Sequence, residues 1–489
     1  MSNIKHIVYL MLENRSFDNV LGWLYDDKHP PKVNIPAQSP PTYDGLKPTY
    51  FNLDKNGNQH FVIKGTNHNL NVPACDPHEE YSHVNAQLFG HEANPAKLTA
   101  APMLGFYQDF SYFSNPIEQY FGVLTDEIMM SYTPEELPVL NGLAKHFAVS
   151  DRYFSSVPTQ SNCNRAFAAC GNSLGKNKNR LEAWVNNRHS ALFGAGEPEG
   201  DQFSQKTMWN VLSECGRDSS EDWMIYNSTG SGVQNFFGVE GYSYTRDLMK
   251  QLQSPTLNQH FDTIDTFYTR AKEGSLPSVC FLEPKWGGGY TERLSEQGND
   301  YHPPSNLAPG EAFVKQIYDA LTANKGAWGE TLLIINFDEH GGTYDHVAPP
   351  WNATPPWQNS DTPKPDVCEL GFEFDRFGVR VPLILVSPHV KESTVFRAAG
   401  DIPYDHTSVI ATILKTMGIP KDKWGLGGRT ANAPTFENVF TGNSLRTNIP
   451  PISINPLAKT CSEIEKNAPQ NDIQKRRAQF IDNKLSSQG

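Results

Sequence analysis

The sequence lacks any long apolar run. No stretch approaches the roughly 18 consecutive apolar residues that a transmembrane helix requires. The first strand-like run, residues 7–12 (IVYLML), is also too short for the apolar core of a secretory signal peptide, and polar residues follow it directly. We therefore expect a soluble protein made without a conventional signal peptide, for which any export would use a leaderless route.

The sequence also has no excess of basic residues. It carries 41 lysines and arginines against 54 aspartates and glutamates, which gives a formal net charge of −13 at pH 7. A nucleic-acid binder needs a basic surface, and so does a purely electrostatic membrane anchor. We expect no nucleic-acid partner. Transient contact with a membrane surface stays compatible with this charge, because one lipid headgroup can enter a pocket without a basic face.

Cysteine is scarce, and its pattern is not that of a protein held together by disulfide bonds. The seven cysteines are scattered, and no two of them stand in a Cys-x-x-Cys pair. A low, odd count indicates mostly reduced thiols and argues against a disulfide framework. The 489 residues are enough to bury a large core instead.

What the sequence does contain is two acidic motifs far apart, each placed where an apolar run ends. One run (HIVYLML) leads into Glu13 and Asn14, and a second (TLLIIN) ends one residue before Asp338 and Glu339. In an open α/β sheet, ligands bind in the crevice beyond the carboxyl ends of the strands. Oxygen donors at two such ends can converge on one cation, so the pattern indicates metal-assisted chemistry.

Strand-like runs alternate with helical patterns along most of the chain. The predicted strands are 6–12, 147–150, 223–226, 278–282, 331–336 and 381–387, and the predicted helices are 86–90, 135–146, 207–215, 311–325 and 407–417. This alternation is typical of a mostly parallel sheet that is covered by helices on both faces. We therefore predict an α/β three-layer sandwich.

The two acidic motifs span most of the chain, which favours one large domain. We place this domain at residues 1–455 and a polar tail at 456–489. Residues 28–74 are rich in proline and asparagine and show little periodicity, so they are predicted to form a long surface excursion.

Six motifs occur in one order along the chain: ENRSFD, SNCNR, NDYHPP, FDEHGGTYDHV, FGVRVPLILVSP and YDHTSV. In this order they resemble the bacterial and fungal phosphoesterases. That family holds the phosphatidylcholine-type phospholipases C and a related acid phosphatase, within the alkaline-phosphatase-like superfamily. The resemblance covers about residues 1–445 and implies the fold of that superfamily.

The resemblance implies a metal site of oxygen ligands. In the family a Glu-Asn pair and two consecutive acidic residues bind the metal, which assigns this role to Glu13, Asn14, Asp338 and Glu339. Asn14 could alternatively cap a helix, and Glu339 stands where the acid-phosphatase branch has aspartate. Carboxylate and amide oxygens suit a divalent cation. Similarity to zinc-dependent phospholipases C favours Zn²⁺, while Mg²⁺, Ca²⁺ and Mn²⁺ stay compatible.

The family places its nucleophile, a threonine or serine, three residues before an Asn-Arg pair. Here this residue is Ser161, with Cys163 where proline is usual. The resemblance implies that Ser161 binds the metal and attacks phosphorus, and that Arg165 cradles phosphate oxygens or braces the loop. Ser156 and Thr159 are competing hydroxyls in the same loop, where a serine is otherwise a turn former. Cys163 is a competing thiol.

Histidines form a third group of candidates. His302, His340, His346 and His406 all lie in the matched motifs. An imidazole can bind a metal or protonate a leaving group. We predict His302 and His346 as catalytic residues, and His340 and His406 as substrate-binding residues. Alternatively these histidines have structural roles, and at least one of His340, His346 and His406 is expected merely to hydrogen-bond a loop carbonyl.

Four further residues are predicted to bind substrate. The family has a pocket histidine in an early Asp-x-x-His segment, which His78 and His83 match imperfectly because His78 is shifted by one place. Asp300 and Tyr301 stand beside His302 in the NDYHPP motif. For Tyr301, core packing is the alternative, since aromatic residues make up 11% of the chain.

Together these observations predict a metal-dependent phospholipase C. Such an enzyme would cleave the phosphodiester of phosphatidylcholine-type lipids to diacylglycerol and a phosphorylated headgroup, through a phosphoseryl intermediate. Two alternatives stay open: a broad-specificity acid phosphomonoesterase of the same family, and a non-enzymatic binding protein with the same fold. The expected partner is a phospholipid, and the sequence indicates no particular oligomeric state.

Overall fold

The structure is a computed structural model that describes residues 3–90, 100–112, 125–177, 179–187, 202–228, 243–286, 298–440 and 445–456. The predicted tail at 456–489 lies outside these residues except for its first position. The single domain at 1–455 stays a prediction.

The described residues form strands, helices and short 3₁₀ turns. The strands are β1 (His6–Leu12), β2 (Val33–Ile35), β3 (Phe51–Leu53), β4 (Gln59–Phe61), β5 (Ile63–Lys64), β6 (Met130–Ser131), β7 (Ala148–Ser150), β8 (Leu174–Asn177), β9 (Arg180–Ala183), β10 (Trp223–Asn227), β11 (Phe261–Thr263), β12 (Val279–Leu282), β13 (Thr331–Phe337), β14 (Val367–Cys368), β15 (Leu383–Val386) and β16 (Thr394–Phe396). The helices are α1 (Phe17–Leu21), α2 (Tyr81–Phe89), α3 (Phe106–Tyr112), α4 (Pro138–His146), α5 (Ser161–Cys170), α6 (Met208–Glu214), α7 (Tyr244–Leu248), α8 (Ile264–Glu273), α9 (Leu307–Ala323), α10 (Lys325–Trp328), α11 (His406–Thr416) and α12 (Gly427–Asn432). The 3₁₀ turns are Thr125–Met129, Lys250–Leu252, Pro255–His260, Glu369–Gly371, Lys421–Lys423 and Glu437–Val439.

Nine strands form the main sheet, in the order β11-β10-β12-β1-β13-β15-β7-β16-β2. Only β15 runs against its neighbours β13 and β7, and the other pairs in this sheet are parallel. The prediction of a mostly parallel sheet is confirmed. β1 and β13 are adjacent, with Leu12 opposite Phe337. The two acidic motifs therefore begin side by side at one edge of the sheet.

Helices cover the sheet as two groups. One group packs around α9 and includes α4 and α8, and the other packs around α11 and includes α5, α6 and α12. Every residue of β10, β12, β13 and β15 is buried, which requires cover on both faces of the sheet. The predicted three-layer α/β architecture is thus confirmed. Within the described ranges, no helix is both long and apolar enough to cross a membrane.

The predicted elements are present, although several ends shift. The helix predicted at 135–146 begins at Pro138, a residue that favours the first helical position. Glu136 stays outside the helix because its carboxylate accepts hydrogen bonds from the backbone N–H groups of Thr66 and His68. Such long-range partners leave no periodic signal in the sequence.

The region predicted as a surface excursion, residues 28–74, contains short strands. Much of the region lies at the surface as predicted, but the strands in it were not predicted. β2 extends the main sheet by pairing with β16, where Val33 lies opposite Thr394. β3 and β4 form an antiparallel hairpin, and β5 pairs with β6. Strands of two or three residues are too short to show an alternating pattern, so the sequence does not reveal them.

A second, smaller hydrophobic cluster lies beyond the carboxyl edge of the sheet, and we call it the cap core. It consists of Leu46, Val62, Cys75, Val84, Leu88, Phe89, Ala101, Met103, Phe106, Tyr107, Phe110, Ile128, Met129, Tyr344 and Val379. Tyr344 belongs to the loop that follows β13, so the cap core is attached to the loop that carries the second acidic motif.

Arg380 ties the loop after β1 to the loop after β13. Its side chain is fully buried, and Nη2 donates to Asp18 Oδ1 at 2.7 Å while Nε donates to Asp345 Oδ2 at 3.2 Å. Nη1 donates to the carbonyl oxygens of Asp44 and Asp151. Burial opposes the charge, but the surrounding carboxylates raise the pKa of Arg380 above its ordinary value. One guanidinium thus fixes the position of both motif loops.

Replacing Arg380 should destabilise the protein strongly. We expect Arg380→Ala to lower the free energy of unfolding by about 3–5 kcal/mol, because it leaves buried carboxylates without a counter-charge. Arg152→Ala is the matched control: this arginine is 43% exposed and pairs with Asp44 at the surface, so its loss should cost only about 0–1 kcal/mol. Urea unfolding followed by circular dichroism measures both. An equal decrease in the free energy of unfolding in the two variants would contradict the role of Arg380 in fixing the two motif loops.

Candidate active site

Glu13 and Asn14 follow β1 directly, where the backbone turns sharply. Asn14 has a left-handed φ of 53°, which asparagine tolerates better than most residues. Its N–H donates to Asp338 Oδ1 at 3.1 Å and so joins the tips of β1 and β13. Gly341 lies against this turn, and a Cβ there would come within 2.3 Å of the carbonyl oxygen of Asn14. Glycine at 341 permits the close approach of the two loops.

Ser161 is brought to the same place by the start of α5. Its Oγ lies 3.0 Å from Glu13 Oε2 and 3.1 Å from Asn14 Oδ1. A hydroxyl has only one hydrogen to donate, yet two acceptors face it. A carboxylate, an amide and a hydroxyl oxygen therefore meet at one buried point, in the first turn of a helix where negative charge is favoured.

Two carboxylates from the loop after β13 complete the group. Asp338 Oδ1 accepts hydrogen bonds from the backbone of Asn14 and Glu339, and Glu339 Oε2 accepts one from Gly341 N at 2.7 Å. The other oxygens, Asp338 Oδ2 and Glu339 Oε1, are buried without a hydrogen-bond partner. Burial, and then the charge of Asp338, hold the pKa of Glu339 well above its ordinary value.

This donor set fits a divalent cation. A buried carboxylate oxygen without a partner costs free energy, and a cation among these oxygens would remove that cost. The side chains that would hold it are those of Glu13, Asn14, Ser161, Asp338 and Glu339, the set named from the sequence. All five offer oxygen, the donor that hard divalent cations prefer.

Arg165 supplies a positive charge beside the carboxylates. Its Nε donates to Glu13 Oε1 at 2.6 Å, Nη2 pairs with the same oxygen, and Nη1 is buried without a hydrogen-bond partner. The guanidinium lies over the rings of Trp286 and Tyr244, with centroids 5.0 and 5.6 Å from its carbon. The remaining N–H groups suit an anion such as a phosphate. Tyr244 was not predicted, because nothing in the sequence links position 244 to position 165.

His302 contacts the cluster through Asn14. The short contact of Nδ1 with the carbonyl oxygen of Pro303, 2.6 Å, assigns the hydrogen to Nδ1. Nε2 then accepts from Nδ2 of Asn14 at 3.0 Å. This arrangement turns the amide oxygen of Asn14 toward Ser161. In this tautomer His302 positions the side chain of Asn14, and its predicted catalytic role stays a prediction.

Asp300 lies on the other side of Glu13. Its carbonyl oxygen accepts the N–H of Glu13 at 2.8 Å, and Oδ1 accepts the N–H of His302 at 3.2 Å. Oδ2 is buried without a hydrogen-bond partner, and burial raises the pKa of Asp300 to about 7. Asp300 thus belongs to the cluster, and its predicted contact with substrate stays a prediction.

His346 lies outside this cluster, and its predicted catalytic role stays a prediction. Nδ1 bonds to Asp18 Oδ2 at 2.5 Å and Nε2 to Asp44 Oδ1 at 3.1 Å, so both ring nitrogens are engaged by carboxylates. Burial alone would lower the pKa of His346, but Asp18 and Asp44 raise it to about 9. The imidazolium braces the motif loop together with Arg380.

His406 and Tyr301 hold neighbouring parts of the structure in place, and their predicted contact with substrate stays a prediction. His406 is fully buried, donates from Nε2 to the carbonyl oxygen of Asp338 at 2.6 Å, and accepts the hydroxyl of Tyr153 at Nδ1. The hydroxyl of Tyr301 donates to Glu311 of α9 at 2.8 Å. His406 thus holds the backbone of Asp338, and Tyr301 packs against the helical layer.

A chain of hydrogen bonds connects α2 and α3 with the site. Nε2 of His340 donates to Gln87 at 2.7 Å, Gln87 donates to Asp109, and Asp109 bonds to Nδ1 of His83 at 3.1 Å. Burial lowers the pKa of His340 to about 3, so its ring is neutral. The rings of His78 and His83 stack 4.4 Å apart. Contact of these three histidines with substrate stays a prediction.

Two acidic residues near His302 were missed. Among the described residues, Asp76, Glu79 and His302 form one group whose potential ligand atoms lie within 4.8 Å of one another, and His78, Glu80 and His83 form another. Both groups draw on the stretch CDPHEEYSH, and its density of acidic residues and histidines was the available signal. A third group, Asp18, Asp345 and His346, is already neutralised by Arg380.

Comparison with known proteins gives consistent matches. The profile of the phosphoesterase family matches residues 4–420. Non-specific phospholipase C6 of Arabidopsis thaliana is 32% identical over 90% of this chain and 72% of its own length. Phospholipase C B of Mycobacterium tuberculosis is 27% identical over 86% of this chain and 74% of its own.

Among solved structures, a protein of the alkaline phosphatase superfamily from Vibrio parahaemolyticus is similar at 12% identity and a TM-score of 0.29. The match covers 62% of this chain and 65% of that chain. A similarity this low carries no weight for the fold, which rests on the sheet described above.

Glu339→Gln should stabilise the metal-free protein. The raised pKa means that the folded state binds this proton more tightly than the unfolded chain, so ionisation of Glu339 lowers the free energy of unfolding as the pH rises. We expect the variant to gain about 1–3 kcal/mol at pH 7 after dialysis against a chelator, and less at pH 5. Chemical unfolding at both pH values provides the measurement.

The control for this measurement is Glu330→Gln. Glu330 is 40% exposed and pairs with Lys5 at the surface, so the change should stay within about 0.5 kcal/mol. If metal-free Glu339→Gln protein is less stable than the wild type, burial of the Glu339 carboxylate does not lower the free energy of unfolding.

Proposed function

The chain belongs to the phosphoesterase family, and from this premise we propose that it is a metal-dependent phospholipase C with Ser161 as its nucleophile. The observation that carries the proposal is the convergence of Ser161 Oγ with Glu13 Oε2 and Asn14 Oδ1, at 3.0 and 3.1 Å. Relatives named phospholipase C in a plant and in a bacterium support hydrolysis of a phosphoric diester. The proposed substrates are phosphatidylcholine-type lipids.

In the proposed reaction, Ser161 Oγ attacks the phosphorus of the lipid. The bond from phosphorus to the glycerol oxygen breaks, diacylglycerol leaves with a proton, and the headgroup phosphate stays on the serine. Water then attacks the phosphorus, the serine oxygen leaves and regains a proton, and the phosphorylated headgroup is released. Ser161 loses its hydroxyl proton in the first step. Glu13 Oε2 lies within hydrogen-bond distance of Ser161 Oγ and can accept this proton.

Two features of the chain favour this attack. Ser161 occupies the first turn of α5, where the helix dipole stabilises negative charge. Nη1 of Arg165 is buried with no hydrogen-bond partner and can donate to a phosphate oxygen, and Trp286 and Tyr244 hold the guanidinium in place. His302 keeps the amide oxygen of Asn14 turned toward Ser161.

A divalent cation bound by these oxygens would supply positive charge, which lowers the pKa of the serine hydroxyl and offsets the charge of the phosphate. Zn²⁺, Mg²⁺, Ca²⁺ and Mn²⁺ all meet the requirement for a divalent ion. The all-oxygen ligand set itself suits the harder ions. The second candidate function is a phosphomonoesterase, which would use the same residues.

Ser161→Ala should reduce turnover by at least about a thousandfold while the protein stays folded, since no other oxygen takes the same position. Ser161→Thr should restore a measurable fraction, because it returns a hydroxyl. Thr159→Val is the matched control in the same loop, and it should keep most of the activity since Thr159 contacts Asn186 instead. Release of phosphocholine from phosphatidylcholine provides the assay. Full turnover by folded Ser161→Ala would rule out the mechanism.

Removal of the metal should abolish phosphocholine release, and one added ion should restore it. The measurement compares the protein before and after treatment with a chelator, with metal content verified, and then after separate addition of each of the four ions. Unchanged release from metal-free protein would contradict the metal site. Cleavage of a simple phosphomonoester that is sensitive to the chelator, without release of phosphocholine, would assign the protein to the phosphatase branch.

A further inference from the structure

The hairpin formed by β3 and β4 exposes apolar side chains on one face. Phe51 lies opposite Phe61 in the register, and their rings are 5.8 Å apart. Side chains alternate along the second strand and its continuation: Val62 is buried in the cap core, while Phe61 and Ile63 are 49% and 37% exposed. Phe51, Phe61 and Ile63 therefore share one outer surface, which we call the hairpin face.

This exposure is unusual within the described part of the chain. Only five large apolar side chains there are exposed, and two of them, Phe61 and Ile63, stand two residues apart on the hairpin face. Single exposed apolar residues are common, whereas neighbouring ones on one face mark a surface that binds something. Polar side chains at these two positions would leave the buried Val62 and the hairpin pairing unchanged.

The hairpin face lies on the side of the sheet that carries the site. Tyr50, directly before β3, stacks on His346 in the loop after β13, with ring centroids 4.5 Å apart. The buried Asn52 donates to the carbonyl oxygen of Met103 and accepts the N–H of Tyr107 in α3. α3 also carries Asp109, which belongs to the hydrogen-bonded chain that ends at His340. Two sets of contacts thus connect the hairpin with the loop of Asp338 and Glu339.

Three exposed lysines lie close to the hairpin strands in the sequence. Lys47, Lys55 and Lys64 are exposed around the hairpin, and Nζ of Lys64 lies 5.2 Å from the ring centroid of Trp23. Of the nearby acidic groups, Asp54 is engaged by Asn56 and Asn58, and Asp126 bonds to His60. On a chain with a net charge of −13, these lysines place positive charge close to the exposed apolar side chains. This arrangement complements a layer of phosphate groups above an apolar interior.

We propose that the hairpin face is the surface by which the protein docks on a phospholipid bilayer. Phe51, Phe61 and Ile63 would enter the boundary between headgroups and acyl chains, and the lysines would lie among the phosphates. This inference rests on the proposed function, since a phospholipase C must draw its substrate from a bilayer. It deepens that function by naming the residues that bring the site to the lipid.

Vesicle binding tests the docking without any need for turnover. We expect the double variant Phe61→Ala/Ile63→Ala to bind phosphatidylcholine vesicles about tenfold more weakly than the wild type in a sedimentation assay, because two half-exposed apolar side chains lose their burial in lipid. Leu445→Ala is the matched control. Leu445 is 47% exposed and lies next to Gly329, before the start of β13, on the opposite edge of the sheet. Its loss should leave binding unchanged.

Activity on two forms of one lipid gives a second readout. Turnover of phosphatidylcholine vesicles by the double variant should fall about tenfold, whereas turnover of a short-chain phosphatidylcholine below its micellar concentration should stay unchanged. Both substitutions are at exposed positions, so the thermal unfolding temperature should not move.

Three outcomes would overturn the inference: equal vesicle binding by the wild type and the double variant, an equal loss in Leu445→Ala, or no vesicle binding at all. If the wild type turns over neither lipid but binds vesicles through the hairpin face, the docking surface stands and the proposed activity fails. If the monomeric lipid is cleaved and the double variant behaves as the wild type on vesicles, the activity stands and the docking surface fails.

Discussion

The hydrogen bond from the N–H of Asn14 to Asp338 Oδ1 joins the two strand ends on which the site depends. It forms only because β1 and β13 are neighbours and because Gly341 leaves room for the turn at Asn14. The bond uses one oxygen of Asp338 and leaves the other facing the cluster. The same short contact sets the distance between the ligands from the first motif and those from the second.

The chain meets the electrostatic cost of this arrangement with two buried arginines. Arg165 neutralises Glu13 within the cluster, and Arg380 neutralises Asp18 and Asp345 behind the loops. Arg165 Nε also lies 3.5 Å from Asp338 Oδ2, too far for a good hydrogen bond, and neither arginine pairs with Glu339 Oε1. A bound divalent cation would offset the charge that remains, and the surrounding network prevents the loops from relaxing to relieve the repulsion.

The sheet, its layers and the convergence of the candidate ligand residues could be predicted, because short apolar runs and adjacent acidic residues are local signals. The partner of a histidine is not local. His346 lies in a matched motif, yet Asp18 and Asp44 engage both its nitrogens, and His406 bonds to a backbone carbonyl. Tyr301 turns away to Glu311. The short strands at 28–74 were missed for a related reason, since their pairing depends on residues far along the chain.

The position of β1 in the sheet has a consequence for how the protein is made. Its two neighbours, β12 and β13, begin at Val279 and Thr331, so its apolar residues find no partner strand until most of the chain has left the ribosome. Contacts between such distant segments form late and slowly. The nascent chain must therefore keep an aggregation-prone segment shielded for much of translation. The residues of the candidate metal site also cannot assemble before Glu339 emerges, so an unfinished chain cannot hold the complete site.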